Sequence, residues 1–197
     1  MIGGQASGVS KTGVVCALIA AMPERRWTAI KITQCSHHAP AEGRSRARTS
    51  CLTHTERDAA NATDSSRYLA AGAERSLWVR VRPCHLAEAM PRIHDKVVRA
   101  ESVVLESNSV VEFLNPDLYV LILSPSRADF KASAARTLDR ADAILLPASL
   151  SADTPASPGV VRDRIERVPR FEIAPQGCIS REFLAFVAQK LDGAAAR

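Results

Sequence analysis

Apolar and polar positions alternate between two periods along this chain. Residues 27–33 mix β-branched and aromatic side chains, and residues 76–82 (SLWVRVR) alternate apolar with polar positions. Both read as strands. Residues 103–106, 119–123 and 143–146 are short, continuous apolar runs, the pattern of strands buried on both faces of a parallel sheet. Residues 171–174 are a further strand candidate. Between them, residues 11–22, 64–73, 86–99, 128–141 and 180–191 carry helical patterns. In the last of these, Phe183, Leu184, Phe186, Val187 and Leu191 recur at helical spacing. Pro91 interrupts the third. Thr63 or Asp64 is a plausible N-cap for the second, with Gly72 as its C-terminal stop. Strands alternating with helices predict βαβ units, hence a three-layer α/β fold with a mainly parallel sheet and helices on both faces.

Two stretches break the alternation. Residues 34–61 are polar and carry Cys35, His37, His38, Cys51 and His54 among the arginines. Residues 149–168 contain Pro155 and Pro158 and read as a loop or lid. The length of 197 residues supports one domain, so residues 1–193 are expected to form a single domain with a frayed end beyond. No internal repeat stands out.

Composition narrows the class. The chain has 197 residues, of which 46% are hydrophobic and 24% charged, enough for a true core. These fractions exclude wholesale disorder, collagen-like repeats and a disulfide scaffold. The net charge of +5 suits an anionic small ligand as well as it suits nucleic acid. No motif points to a nucleic-acid partner. Five scattered cysteines fit a reduced, cytoplasmic setting. The longest apolar stretch, residues 14–22, is too short to span a bilayer. It follows a Gly-rich loop and runs into a strand, which argues against a secretory leader.

The richest chemistry stands at the start. Residues 3–12 read GGQASGVSKT, and an apolar helix follows at once. Glycines let the backbone approach phosphates, and a helix N-terminus favours anions. In this arrangement Gly4, Ser7, Gly8, Val9 and Ser10 cradle phosphates, Lys11 reaches the terminal ones and the Thr12 hydroxyl ligates Mg²⁺. The spacing of Gly4, Gly8, Lys11 and Thr12 resembles the phosphate loop of dethiobiotin synthetase and related P-loop proteins, with Ser10 where a glycine usually stands. Such loops follow a buried strand, yet only Met1 and Ile2 precede Gly3. The first strand is expected to be missing or very short, and the start of the chain to lie further upstream.

Glu106 ends the apolar run at 103–106. A carboxylate at the C-terminal end of a parallel strand lies where α/β folds bind ligands, and it fits Mg²⁺ directly or through water. Residues 64–73, beginning Asp64-Ser65-Ser66-Arg67 and ending Ala71-Gly72-Ala73, add a third feature. Together with the loop and Leu105-Glu106-Ser107, they resemble the molybdopterin-guanine dinucleotide biosynthesis protein B family over residues 2–146. That resemblance implies a P-loop NTPase-like fold binding GTP, or ATP, with Mg²⁺. It implies slow hydrolysis, with Lys11, Asp64 and Glu106 as the catalytic set and Asp64 near the metal or the γ-phosphate. It also implies a molybdenum-cofactor enzyme or another protein as partner, and a homodimer as one possible assembly. Ser107 replaces the glycine of the family's V-E-G, and no N-K-x-D follows residues 143–146, so the base is not specified.

Cys35, His37, His38, Cys51 and His54 could supply soft ligands for Zn²⁺ or Ni²⁺, with Cys51-x-x-His54 as a half-site. Some P-loop GTPases that insert nickel carry comparable ligands, which leaves a metallochaperone open. A degenerate P-loop adaptor acting through partners is the other alternative. Cys16 and Cys178 read as core or near-core residues of helices, and Cys84-His85 as a cap region.

Overall fold

The computed structural model describes residues 1–34, 51–124, 129–148 and 166–195. Its strands are β1 (Ile2–Gly4), β2 (Trp27–Gln34), β3 (Cys51–Thr55), β4 (Arg75–Val81), β5 (Ser102–Glu106), β6 (Val120–Ile122), β7 (Ala143–Pro147) and β8 (Arg170–Ile173). Its helices are α1 (Lys11–Ala21), α2 (Asp64–Ala70), α3 (Leu86–Val98), α4 (Ala132–Thr137) and α5 (Arg181–Ala195). The class is α/β with mainly parallel strand pairing, as the alternation of elements predicts.

The chain divides into two compact units, one of Met1–Met22 with Glu106–Arg197, the other of Pro23–Leu105. In the first, the strand order is β1-β6-β7-β8, all parallel. Glu106, the last residue of β5, pairs beside Ile2. Val111, Tyr119, Leu121, Leu123, Leu138 and Ile144 are fully or nearly fully buried in its core. The continuous apolar runs are thus strands with both faces covered. The β1 strand is present but only three residues long, anchored to β6 from Ile2↔Val120 to Gly4↔Ile122.

In the second unit, β2 and β4 run parallel from Thr28↔Arg75 to Gln34↔Val81. The expected loop at 34–61 is not wholly a loop. Its described second half contains β3, which pairs antiparallel with β4 from Cys51↔Val81 to Thr55↔Leu77. Only Cys51 of β3 is buried, so an edge strand with polar side chains carries no apolar alternation to announce it.

Two helices are shorter than their patterns. The α4 helix ends at Thr137 and passes into a 3-10 turn, Leu138–Arg140. The α2 helix stops at Ala70, and Gly72 takes φ 104° just beyond it, the left-handed stop for which glycine suits best. Pro91 is accommodated inside α3. Cys178 is not a helical core residue: it is exposed and follows the 3-10 turn Pro175–Gly177. The left-handed Gln176 and Gly177 break the chain there, and α5 begins only at Arg181, with Ser180 Oγ accepting from Phe183 N at 3.1 Å.

Candidate functional site

The phosphate-type loop lies wholly within the first unit. It leaves β1 at Gly4 and enters α1 at Lys11. Gly8 takes φ 76° in its middle. Ser10 is the N-cap of α1 and also sits in the left-handed region, φ 63° and ψ 21°, with no side-chain cap bond. The departure from glycine at this position therefore costs backbone strain. Its carbonyl still accepts the first helical bond, from Val14 N at 3.0 Å.

The side chains expected to carry the chemistry come together in part. Thr12 Oγ1 donates to Glu106 Oε2 at 2.9 Å. Glu106 is only 5% exposed at the C-terminal end of β5. The two oxygens that would serve Mg²⁺ are thus already adjacent at the first turn of α1. Lys11 Nζ donates to Ala6 O at 2.8 Å, folding the lysine back over its own loop.

Two residues that motif reasoning missed hold the loop in shape. Asn108 Oδ1 accepts from Gly4 N at 2.7 Å, and its Nδ2 donates to Gly4 O at 2.8 Å. One side-chain amide thus satisfies both backbone groups of Gly4, as a neighbouring strand would. Gln5 is 3% exposed. Its Oε1 accepts from Ser124 N at 2.9 Å and its Nε2 donates to Asp129 O at 3.2 Å. Its own N–H donates to Ile122 O at 2.8 Å, and its carbonyl accepts from Lys131 N at 2.9 Å. The only sequence signal was an amide side chain inside a Gly-rich loop and another two residues after a strand-end carboxylate.

A close packing contact holds the first turn of α1. A Cβ added to Gly13 would lie 1.9 Å from Gln176 O, so α1 and the turn after β8 meet backbone to backbone. Beside this contact a cleft of about 400 Å³ opens between Gly8–Ser10, Ser124, Pro147–Ala148 and Ile173–Pro175. It adjoins the phosphate loop and the C-terminal ends of β6, β7 and β8.

Asp64 belongs to the second unit. It is the first residue of α2, forms a short ion pair with Lys31 of β2 and lies 3.6 Å from Arg67. Thr63 is the N-cap, in a capping box with Ser66. Just upstream, Glu56 is 7% exposed. Its Oε1 accepts from Arg57 N and Asp58 N, and its Oε2 from Thr63 Oγ1 and Ser65 Oγ. Burial alone would push this carboxyl up, but the four donors outweigh it and hold it down at about 2.

Of the soft-ligand candidates, Cys35, His37 and His38 lie outside the described residues. Cys51 and His54 are three apart on β3 and so point to opposite faces, one buried and the other exposed. Strand geometry separates the two halves of that expected half-site. Burial pushes the Cys51 thiol up, away from thiolate. Among the described residues, no group of three His, Cys, Asp or Glu is placed to hold a metal ion.

No family model matches the chain, and no curated protein sequence matches it. Among solved structures, similarity is found to HypB from Helicobacter pylori in complex with nickel, with TM-score 0.49 and 12% identity over 98% of this chain and 87% of that one. Similarity is also found to the "apo" form of LpxK from Aquifex aeolicus in complex with ATP, with TM-score 0.48 and 17% identity over 87% of this chain and 52% of that one.

Proposed function

We propose that this chain is a Mg²⁺-dependent nucleoside triphosphate binding protein, taking GTP or ATP, with slow hydrolysis. The observation that carries this reading is the 2.9 Å bond between Thr12 Oγ1 and Glu106 Oε2 at the first turn of α1. A hydroxyl and a buried carboxylate are hard oxygen donors suited to Mg²⁺, and they stand together below a loop whose backbone can receive phosphates. When bound, the metal would neutralise phosphate charge between those two oxygens. The chain's own residues supply the rest. The loop and the N-terminus of α1 bind the phosphates. Lys11, now on Ala6 O, can exchange that carbonyl for a terminal phosphate and balance its charge. Asn108 and Gln5 hold the loop open in advance, which lowers the ordering cost of binding.

The cleft of about 400 Å³ next to Gly8–Ser10 supports a nucleoside at the same place. Asp64 enters through the resemblance stated above, as a residue that would sense metal or γ-phosphate. A role as GTP-binding partner in molybdopterin guanine dinucleotide synthesis rests on that resemblance too. The strained Ser10 and the folded-back Lys11 favour a second reading, a weakened loop that acts through protein partners.

Calorimetric titration of ATP and of GTP, each with Mg²⁺, separates the two. Micromolar binding of either nucleotide, abolished by Lys11→Ala and made independent of Mg²⁺ by Glu106→Gln, is the expected result. Absence of binding to both nucleotides overturns the first reading and leaves the second.

A further inference from the structure

The second unit carries a polar arrangement that the phosphate loop does not explain. On β4, Ser76, Trp78 and Arg80 alternate onto one face. The α2 helix covers that face at Ser76, whose Oγ donates to Ser65 O at 2.7 Å. Arg80 stands four residues further on, about 13 Å along the strand, and both it and Trp78 are half-buried. The ladder sets Thr33 of β2 directly opposite Arg80 on the same face, one residue from the end of that strand.

These three side chains order one another. The Arg80 guanidinium carbon lies 4.8 Å from the centroid of the Trp78 ring, a cation–π contact. The Trp78 indole N–H donates to Thr33 Oγ1 at 2.9 Å. A threonine hydroxyl has one hydrogen and two lone pairs, so a hydroxyl accepting from the indole keeps its own hydrogen to donate. Arg80 Nε is buried and has no acceptor among the described residues. Buried donors are nearly always satisfied, and an exception points to a water, an ion or a function. Two acids of the same unit are engaged elsewhere: Asp64 by Lys31 and Arg67, and Glu56 by its four donors.

We propose that Arg80 and Thr33 form an oxyanion site that takes the phosphate or carboxylate of a small ligand at the C-terminal ends of β2 and β4. Ligands of parallel α/β sheets bind outside the carboxyl ends of the strands. A guanidinium packed over an indole can present its fork to two oxygens of one anion. The Thr33 hydroxyl adds a third donor from the neighbouring strand. Trp78 is the floor that positions both.

The test uses the full chain in ¹⁵N–¹H spectra at constant ionic strength, titrated with inorganic phosphate, with acetate in parallel and chloride as control. The chain has two tryptophans; the Trp78 indole N–H and the Arg80 Nε–H report on the site, and buried Trp27 serves as reference. Phosphate, acetate or both are expected to shift the two reporter signals along a saturating curve while Trp27 stays still. The tighter of the two anions names the ligand class. Arg80→Met is expected to abolish saturation and Thr33→Val to weaken it about fivefold. The curve is expected to persist in Lys11→Ala, which separates it from anion binding at the phosphate loop. Linear shifts that chloride reproduces mean an adventitious ion only and overturn the proposal. An unchanged midpoint in Arg80→Met does the same. Should that variant fail to fold, an unchanged midpoint in Thr33→Val overturns it instead.

Discussion

Ser10 concentrates the difference between a motif and a working loop. A non-glycine residue in the left-handed region is disfavoured by roughly 1–2 kcal/mol, and Ser10 takes φ 63° without a cap bond to offset it. Ser10→Gly removes the strain but gives the unfolded chain more freedom. The balance is a gain of about 0.5–1 kcal/mol, read as a higher urea midpoint at unchanged slope. Ser10→Ala is expected to leave the midpoint nearly where it was, because the hydroxyl makes no cap bond. A drop of about 1 kcal/mol in Ser10→Ala, as for a lost N-cap, would show that the hydroxyl does hold the helix. Asn108 and Gln5 belong to the same scale. Asn108 satisfies both backbone groups of Gly4, and the Gln5 side chain ties the loop to Ser124 N and Asp129 O, so the loop's shape is fixed by two amides as much as by its glycines.

At the scale of elements, the start of α2 hangs on one buried carboxylate. Glu56 collects two backbone and two hydroxyl donors, and its carboxyl lies at about 2 against an ordinary 4.5. A group whose folded value is depressed contributes stability that is complete above the unfolded value and disappears as pH falls toward the folded one. Wild-type protein is therefore expected to lose stability between pH about 4.5 and about 2 more steeply than Glu56→Gln, in urea midpoints measured across that window. Parallel slopes for the two proteins would mean that Glu56 is solvated and does not organise α2. Nothing in the sequence marked Glu56, because its donors converge only after β3, the turn and α2 have folded. The elements that were legible are those whose burial imposes a period. The apolar runs at 103–106, 119–123 and 143–146 became β5, β6 and β7 because both faces of each are covered. Edge strand β3 buries only Cys51 and left no such trace. Thr12 and Glu106 were legible as a pair because chemistry requires them together. The separation of Cys51 from His54 was not, because it depends on knowing that β3 is extended.

At the scale of the whole molecule, the compact units divide the chemistry. Met1–Met22 with Glu106–Arg197 contains the phosphate loop, Glu106, both bracing amides and the 400 Å³ cleft. Pro23–Leu105 contains Asp64, Glu56 and the Arg80–Thr33 pair. A ligand that binds only the folded loop stabilises whatever must unfold to release it, by about 2.7 kcal/mol at a hundred times Kd. Mg²⁺ with nucleotide at that concentration is therefore expected to slow amide exchange up to about a hundredfold in β1, α1 and β6. Amides of β2 and β4 report on openings of the other unit, and slowing there should be weaker if that unit opens on its own. Equal slowing in both sets would mean that the chain unfolds as one cooperative body despite its two compact units. The Arg80–Thr33 site offers the converse experiment. An oxyanion held there stabilises β2 and β4 first, so phosphate added to Lys11→Ala protein should slow exchange in those strands and leave β1 and β6 at their unliganded rates if the units open separately. The two ligands, applied one at a time, thus measure how far cooperativity extends from each site. If each protects only its own strands, the chain opens as two independent units; if either protects both, the units open together.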